Sequence, residues 1–230
     1  MCLLNKKLDS IRAKLCFARI FVLLCASLAL FSCESNPVTP SSEDIGWIPF
    51  KKGNLWKFIR TYYDPLGNVI LIQHNADSIF IAADTVLDGK KWYYRRYFGH
   101  KLAYRNTSSG VMARLVSENT LATPFVQYKF PVQTGEAFGF PIVFFSGYQA
   151  WLDDITYTAT VISTDTTITV PAGSFRCVQY RLQRASHIFS WQDEFIAPRF
   201  GWVKRDSYYT SGDGTFKVNS LELSKLTLIE

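Results

Sequence analysis

The chain holds 230 residues, 48% of them hydrophobic and 16% aromatic, with 25 Lys and Arg against 19 Asp and Glu. Its formal charge of +6 is concentrated at the start: residues 1–32 carry Lys6, Lys7, Arg12, Lys14 and Arg19 against Asp9, a net of +4, which leaves +2 for residues 33–230. That near-neutral remainder excludes nucleic-acid binding through a basic field, and its length suffices for one domain with a sizeable core.

The first element in chain order is the uncharged run Ile20 to Phe31, which follows the basic residues. It is too short to cross the hydrocarbon core, which needs about 20 apolar residues, but it fits the apolar region of a secretory signal. A buried helix of the domain is the alternative, and the Ser- and Pro-rich stretch after it argues against continuous packing. Leu30-Phe31-Ser32-Cys33 resembles the lipobox of bacterial lipoprotein signals, with Leu30 and Ser32 matching and Phe31 bulkier than the usual small residue. The resemblance implies cleavage before Cys33 and a lipid on that residue. Residues 1–32 are then the signal peptide, 33–45 a lipidated flexible tether and 46–230 a single domain. The competing reading is an ordinary signal cut elsewhere, leaving Cys33 a free thiol. Glu34, rather than Asp, follows the cysteine; by resemblance to enterobacterial sorting this implies the outer membrane of the cell envelope.

Cysteine usage agrees with this division. Cys2, Cys16 and Cys25 belong to the signal and Cys33 to the anchor, so Cys177 alone remains in the domain. Neither an intramolecular disulfide nor a cysteine metal cluster is available, and Cys177 reads as a small half-buried hydrophobe in a strand.

From residue 55 onward the pattern is strand after strand. Residues 55–63, 69–74, 78–87, 92–98, 101–106 and 111–116 are rich in β-branched and aromatic residues, as are 156–170, 175–183, 187–196, 202–209 and 216–229. Asp64-Pro65-Leu66-Gly67-Asn68, Asp88-Gly89, Ser108-Ser109-Gly110 and Ser211-Gly212-Asp213-Gly214 supply turns. Connections this short cannot make parallel crossovers. The expectation is an all-β, curved antiparallel meander sheet: a barrel, half-barrel or sandwich with few or no helices outside the signal. The middle section reads as loop, with a short helix near Ser117–Ala122. Alternation places Val178, Tyr180 and Leu182 on one face, and sets Phe189, Trp191 and Phe195 opposite Ser190, Gln192 and Glu194. Ile48 to Trp56 and Phe130 to Phe138 echo each other loosely, each with a Pro, a Gly four residues later and an aromatic three beyond. Each reads as a turn feeding a strand.

Three short motifs carry a wider resemblance: Gly53-Asn54-Leu55-Trp56, Val170-Pro171-Ala172-Gly173-Ser174-Phe175, and Pro198 to Lys204 with Gly201-Trp202-Val203-Lys204. They resemble the GN-x-W, VPAG-(S/T)-F and G-x-V-K motifs of a group of uncharacterised bacterial envelope lipoproteins. That group is distantly similar to the carrier superfamily of LolA, LolB and related lipid-binding lipoproteins. The resemblance implies a curved antiparallel sheet and no established chemistry. Physically, Gly173 serves a tight turn with positive φ, and Gly201 starts a strand where a side chain would collide with a neighbour.

Catalytic and metal-binding patterns are thin. There is no Gly-x-Ser-x-Gly, His-Glu-x-x-His or phosphate-binding glycine loop, and His74, His100 and His187 lack metal-site spacing. Asp153-Asp154 and Asp193-Glu194 are adjacent carboxylates, which on strands point to opposite faces. The aromatics stand out more: Trp56, Trp92, Trp151, Trp191 and Trp202, with many Tyr and Phe. They either pack the sheet or, as candidate ligand-binding residues (Trp56, Trp92, Trp191 and Trp202), serve an apolar cavity or a sugar-stacking face. The expected protein is therefore a non-enzymatic, lipid-anchored envelope protein without cofactor or metal, binding an apolar ligand such as a lipid acyl chain, or an envelope partner. The rivals are a glycan-binding lipoprotein using exposed aromatics and a hydrolase built on Asp153 or Glu194.

Overall fold

The computed structural model describes residues 46–97, 100–116, 122–146, 149–184, 190–212 and 214–229. The signal, Cys33 and the tether lie outside these residues, as do positions 117–121 of the expected helix. All twelve described elements are strands: β1 (Leu55–Tyr63), β2 (Val69–Leu87), β3 (Lys90–Tyr97), β4 (His100–Thr107), β5 (Gly110–Val116) and β6 (Phe125–Lys129) in the first half. The second half comprises β7 (Ala137–Ser146), β8 (Gln149–Val170), β9 (Gly173–Arg184), β10 (Ser190–Ala197), β11 (Gly201–Ser211) and β12 (Gly214–Thr227).

They form one antiparallel sheet in the order β6-β5-β4-β3-β2-β1-β12-β11-β10-β9-β8-β7, two six-stranded meanders joined where β1 pairs with β12. The all-β expectation holds, and the sheet curls into a nearly closed barrel. Its two edges meet through side chains rather than a ladder: Phe125 of β6 stacks on Phe140 of β7, centroids 6.2 Å apart. The Tyr180 hydroxyl also donates to the Lys129 carbonyl at 2.7 Å.

Two sequence expectations are corrected. Residues 69–74 and 78–87 are one continuous strand, because the extra residues around Asn75 are absorbed as a bulge: Phe58 pairs with Asp77 but Arg60 with Gln73, and Asn75 adopts φ 55°. The loop-like middle contains β6 and β7. Pro141 and Gly139 disguise β7, yet β7 is an edge strand, where a residue without an N–H is tolerated.

The sequence echo recurs as hydrogen bonding. Gly53 N–H donates to Ile81 O and Ile81 N–H to Asn54 O; likewise Gly135 N–H donates to Val161 O and Val161 N–H to Glu136 O. In both copies a tight turn precedes the pair, Asn54 N–H to Lys51 O and Glu136 N–H to Gln133 O. Each half of the sheet therefore opens with the same turn feeding its first strand.

The barrel interior is filled by the segment that precedes β1. Trp47, Ile48 and Phe50 are all buried. Trp47 stacks on Phe130 (4.7 Å, 25°), and Phe50 stacks on Tyr104 (5.6 Å, 19°) and meets Trp202 at 6.2 Å. Asn106 holds the backbone of this plug at both groups of Ile48, accepting its N–H at 3.2 Å and donating to its carbonyl at 2.8 Å. The Arg199 N–H donates to Trp47 O. Gly201 makes room for the plug: at φ +87°, a Cβ there would lie 3.1 Å from Trp56 Nε1 and 3.2 Å from Ile48 Cγ2. The collision expected at Gly201 is thus with the plug and the Trp56 indole.

Candidate functional site

Three of the four candidate tryptophans are core. Trp56 is fully buried, donates its Nε1 hydrogen to Phe200 O at 2.5 Å, and meets Trp202 edge-on (5.6 Å, 87°). Trp92 is buried beside the Arg105 guanidinium, 5.2 Å from its ring centroid. Trp202 is buried and donates to the Tyr128 hydroxyl at 3.2 Å. Only Trp191 is half-buried, and it is already engaged: Tyr208 stacks on it (5.1 Å, 17°) and the Arg181 guanidinium sits 5.2 Å from its ring. The side chains of Trp151, Asp153 and Asp154, like those of His100 and His187, lie outside the described residues; His74 is exposed on β2.

On β10 Trp191 and Glu194 lie on opposite faces, as alternation expects, and the carboxylate is on the inner one. Glu194 pairs with Tyr180 of β9 and Arg205 of β11, and it faces the barrel interior. Trp191 and Asp193 face outward, where Asp193 takes both Nε and Nη2 of Arg181 at 2.8 and 2.9 Å. Glu194 is 3% exposed. One of its oxygens accepts the Tyr128 hydroxyl, and the other accepts Arg205 Nε at 2.6 Å. A continuous chain of donors therefore runs from Trp202 through Tyr128 to Glu194, with Arg205 closing it. The Glu194 charge, against the opposing effect of burial, holds the Arg205 guanidinium above its ordinary range. Burial first, then the same carboxylate, pushes the Tyr128 hydroxyl well up. A carboxylate occupied by a guanidinium and a phenol is an ion-pair anchor.

Two pockets flank this network and share no lining residue. A partly open cavity of about 60 Å³ is lined by Arg60, Arg95 and Arg205, the carboxylates Asp77 and Glu194, and apolar walls including Trp202 and Leu221. Arg60 is ion-paired with Asp77, whose hydrogen bond and charge hold it above the ordinary range despite burial. The Arg95 guanidinium lies 5.6 Å from the Trp202 ring centroid. One step outward along β10 and β11, a pocket of about 370 Å³ opens at the barrel mouth, lined by Tyr157, Tyr209, Trp191, Arg184, Gln192 and Ser207 among others. Tyr209 is 47% exposed there.

Sequence reasoning missed Arg60, Asp77, Arg95 and Arg205. Nothing in their spacing marks them, because bulges reset the faces: Ile196 pairs with Trp202 but Phe195 with Lys204, so Trp202 and Arg205 share the interior although an odd number of positions separates them. Glu194, one of two adjacent carboxylates set between Trp191 and Phe195-Ile196-Ala197, was the one available signal. Among the described residues no group of three or more His, Cys, Asp or Glu could hold a metal ion.

No family model matches the chain, and no curated protein matches it. Two crystal structures are similar. One is a protein from Parabacteroides distasonis provisionally described as a lipoprotein, with TM-score 0.43 and 12% identity, covering 80% of this chain and 99% of that one. The other is a protein from Bacteroides fragilis provisionally described as exported, with a YmcC-like fold, TM-score 0.40 and 11% identity, covering 80% of this chain and 100% of that one.

Proposed function

We propose that this is a lipid-anchored cell-envelope protein, held at the outer membrane through Cys33, that binds a ligand at the mouth of its barrel without catalysing a reaction. The observation that carries the binding reading is the plug. Trp47, Ile48 and Phe50 occupy the space that an acyl chain would need, whereas ligand pockets typically measure about 300–1,000 Å³. The mouth pocket, at about 370 Å³, falls in that range.

Its lining combines phenol rings with Arg184, Gln192 and Ser207, the mixture of flat apolar surface and hydrogen-bonding groups that suits a sugar. This favours a mono- or disaccharide unit of an envelope glycan over a buried lipid chain. Tyr157 and Tyr209, rather than Trp191, offer the stacking surface, since Trp191 is covered by Tyr208 and Arg181.

A second reading, contact with an apolar envelope partner, is favoured by the β1–β2 hairpin. Leu66, Val69, Ile70, Leu71 and Ile72 are between 47% and 87% exposed there.

The test is saturation-transfer NMR of the full chain in detergent against a panel of envelope mono- and disaccharides. Saturation transfer lost in Tyr209→Ala supports the reading. Equal transfer in wild type and variant, or none in either, overturns it. Metabolic labelling with a clickable fatty acid tests the anchor: Cys33→Ala should abolish label, and label retained in the variant refutes lipidation at Cys33.

A further inference from the structure

We propose that the end of the barrel where the chain enters rests on a phospholipid surface with negatively charged headgroups. The proposal builds on the lipid anchor at Cys33 and adds the face of the domain that meets the membrane. That face lies opposite the mouth pocket, whose Trp191 and Tyr209 sit toward the far ends of β10 and β11.

The first observation is where the chain enters. Gly46, the first described residue, leads directly into the plug. The Arg199 N–H of the β10–β11 turn donates to Trp47 O. Asn54, just ahead of β1, donates to Pro49 O at 2.5 Å and accepts the Ile229 N–H at 2.7 Å. The β10–β11 turn, the turn before β1 and the residues after β12 therefore surround the entry. Phe200, Leu228 and Ile229 of these segments, with Phe80 paired to Leu55 at the start of β1, are between 36% and 47% exposed. This rim thus presents large apolar groups to its surroundings.

The second observation is charge. Lys57 of β1 and Lys225 of β12 stand directly opposite each other, two residues in from the rim. Neither forms an ion pair among the described residues. Trp56 and Phe58, on either side of Lys57, are buried, so the lysine points outward. Like charges facing across a ladder repel, and an anionic surface relieves that repulsion. Exposed Lys52 adds a cation from the turn before β1, while Asp84 of β2 is taken by Lys91 at 2.8 Å. Apolar groups beside lysines suit the headgroup boundary, where hydrocarbon is buried and ammonium groups meet phosphate. Reach agrees with this. The peptide steps from Cys33 to Gly46 span at most about 45 Å and end on this rim. The exposed Leu66 hairpin lies at the other end of β1, so the anchor brings the rim to the bilayer first.

The test reconstitutes the full chain in phosphatidylcholine vesicles with or without phosphatidylglycerol. Lys52→Cys, Phe200→Cys and Leu66→Cys are each labelled with an environment-sensitive fluorophore; Cys177 is buried and stays unlabelled. Quenching by lipid with a nitroxide headgroup should be at least threefold stronger at positions 52 and 200 than at 66. Phosphatidylglycerol should strengthen it further. Lys225→Glu sets an opposite charge across from Lys57, so it should raise Tm and yet at least halve the phosphatidylglycerol increment. These opposite signs separate membrane contact from a merely structural role. Equal quenching at the three positions, stronger quenching at 66, or an increment untouched by Lys225→Glu overturns the proposal. Mass spectrometry of the same preparation separates the two readings. A protein without lipid on Cys33 refutes the anchor and this face with it; a lipidated protein without preferential quenching refutes the face alone.

Discussion

The Tyr128 hydroxyl of edge strand β6 donates to the buried carboxylate of Glu194 on β10, across the interior rather than along any ladder. This bond, with Trp202 donating behind it, fastens the free edge of the sheet to the opposite wall. It explains how a barrel without a β6–β7 ladder stays closed.

Removing either partner should therefore loosen the seam. Glu194→Gln leaves Arg205 facing a neutral amide, and with Arg205 one-third exposed the expected loss is about 2–3 kcal/mol. Tyr128→Phe leaves one carboxylate oxygen without its donor, a loss of about 1–3 kcal/mol. Urea unfolding of the two single variants and the double variant should reveal strong non-additivity; simple additivity would contradict the bond.

The plug makes a separate prediction. Trp47→Ala deletes a buried indole stacked on Phe130 and edge-on to Tyr180, and should destabilise by about 3–5 kcal/mol. It should also open an apolar space inside the barrel, seen as increased binding of a fluorescent hydrophobic dye below the unfolding transition. Unchanged dye binding with unchanged stability would mean that the plug does not fill the core.

Gly201→Ala tests the fit around the plug. The backbone there lies at φ +87°, and the added methyl would press on Trp56 and Ile48. Left-handed strain at a non-glycine residue costs about 1–3 kcal/mol, and a corresponding fall in Tm is expected. Gly67→Ala shares the positive φ but meets no neighbour, so it should cost less.

Cys177 gives a pH dependence with a definite sign. Burial pushes its thiol up to about 12, from an ordinary value of 9.0. The folded protein thus keeps the proton while the unfolded chain releases it. The contribution to stability is whole below pH 9 and declines as pH rises from 9 toward 12, by about 1.4 kcal/mol per unit at most. Cys177→Ala should accordingly show a flatter stability profile between pH 9 and 10 than the wild type. Parallel profiles for the two proteins would refute burial as the cause. Alkylation of the native thiol at pH 8 should likewise be slow and accelerate on unfolding.

Much of this architecture was legible because β-structure is local in its signals. Asp64 to Asn68, Asp88-Gly89 and Pro171-Ala172 are turns in the sequence and turns in the fold, with Gly173 at φ 131° as expected. Short connections alone enforced antiparallel neighbours. The site was less legible. Alternation predicts which residues share a face, yet it does not say which face is inside. On β10 alternation set Trp191 and Glu194 on opposite faces, and only the fold shows that Glu194 is the interior residue.

The amino-acid sequence by itself determined the class of fold, the meander order and the turn glycines, because each depends on near neighbours in the chain. Tertiary structure alone decided that Ile48-Pro49-Phe50, legible only as a turn leading into a strand, would plug the barrel. It also decided that Arg60, Asp77, Arg95, Glu194 and Arg205 would meet. The physical reason is register: bulges at Asn75 and between Phe195 and Ile196 reset the alternation. Closure of the sheet then brings together residues far apart in the chain.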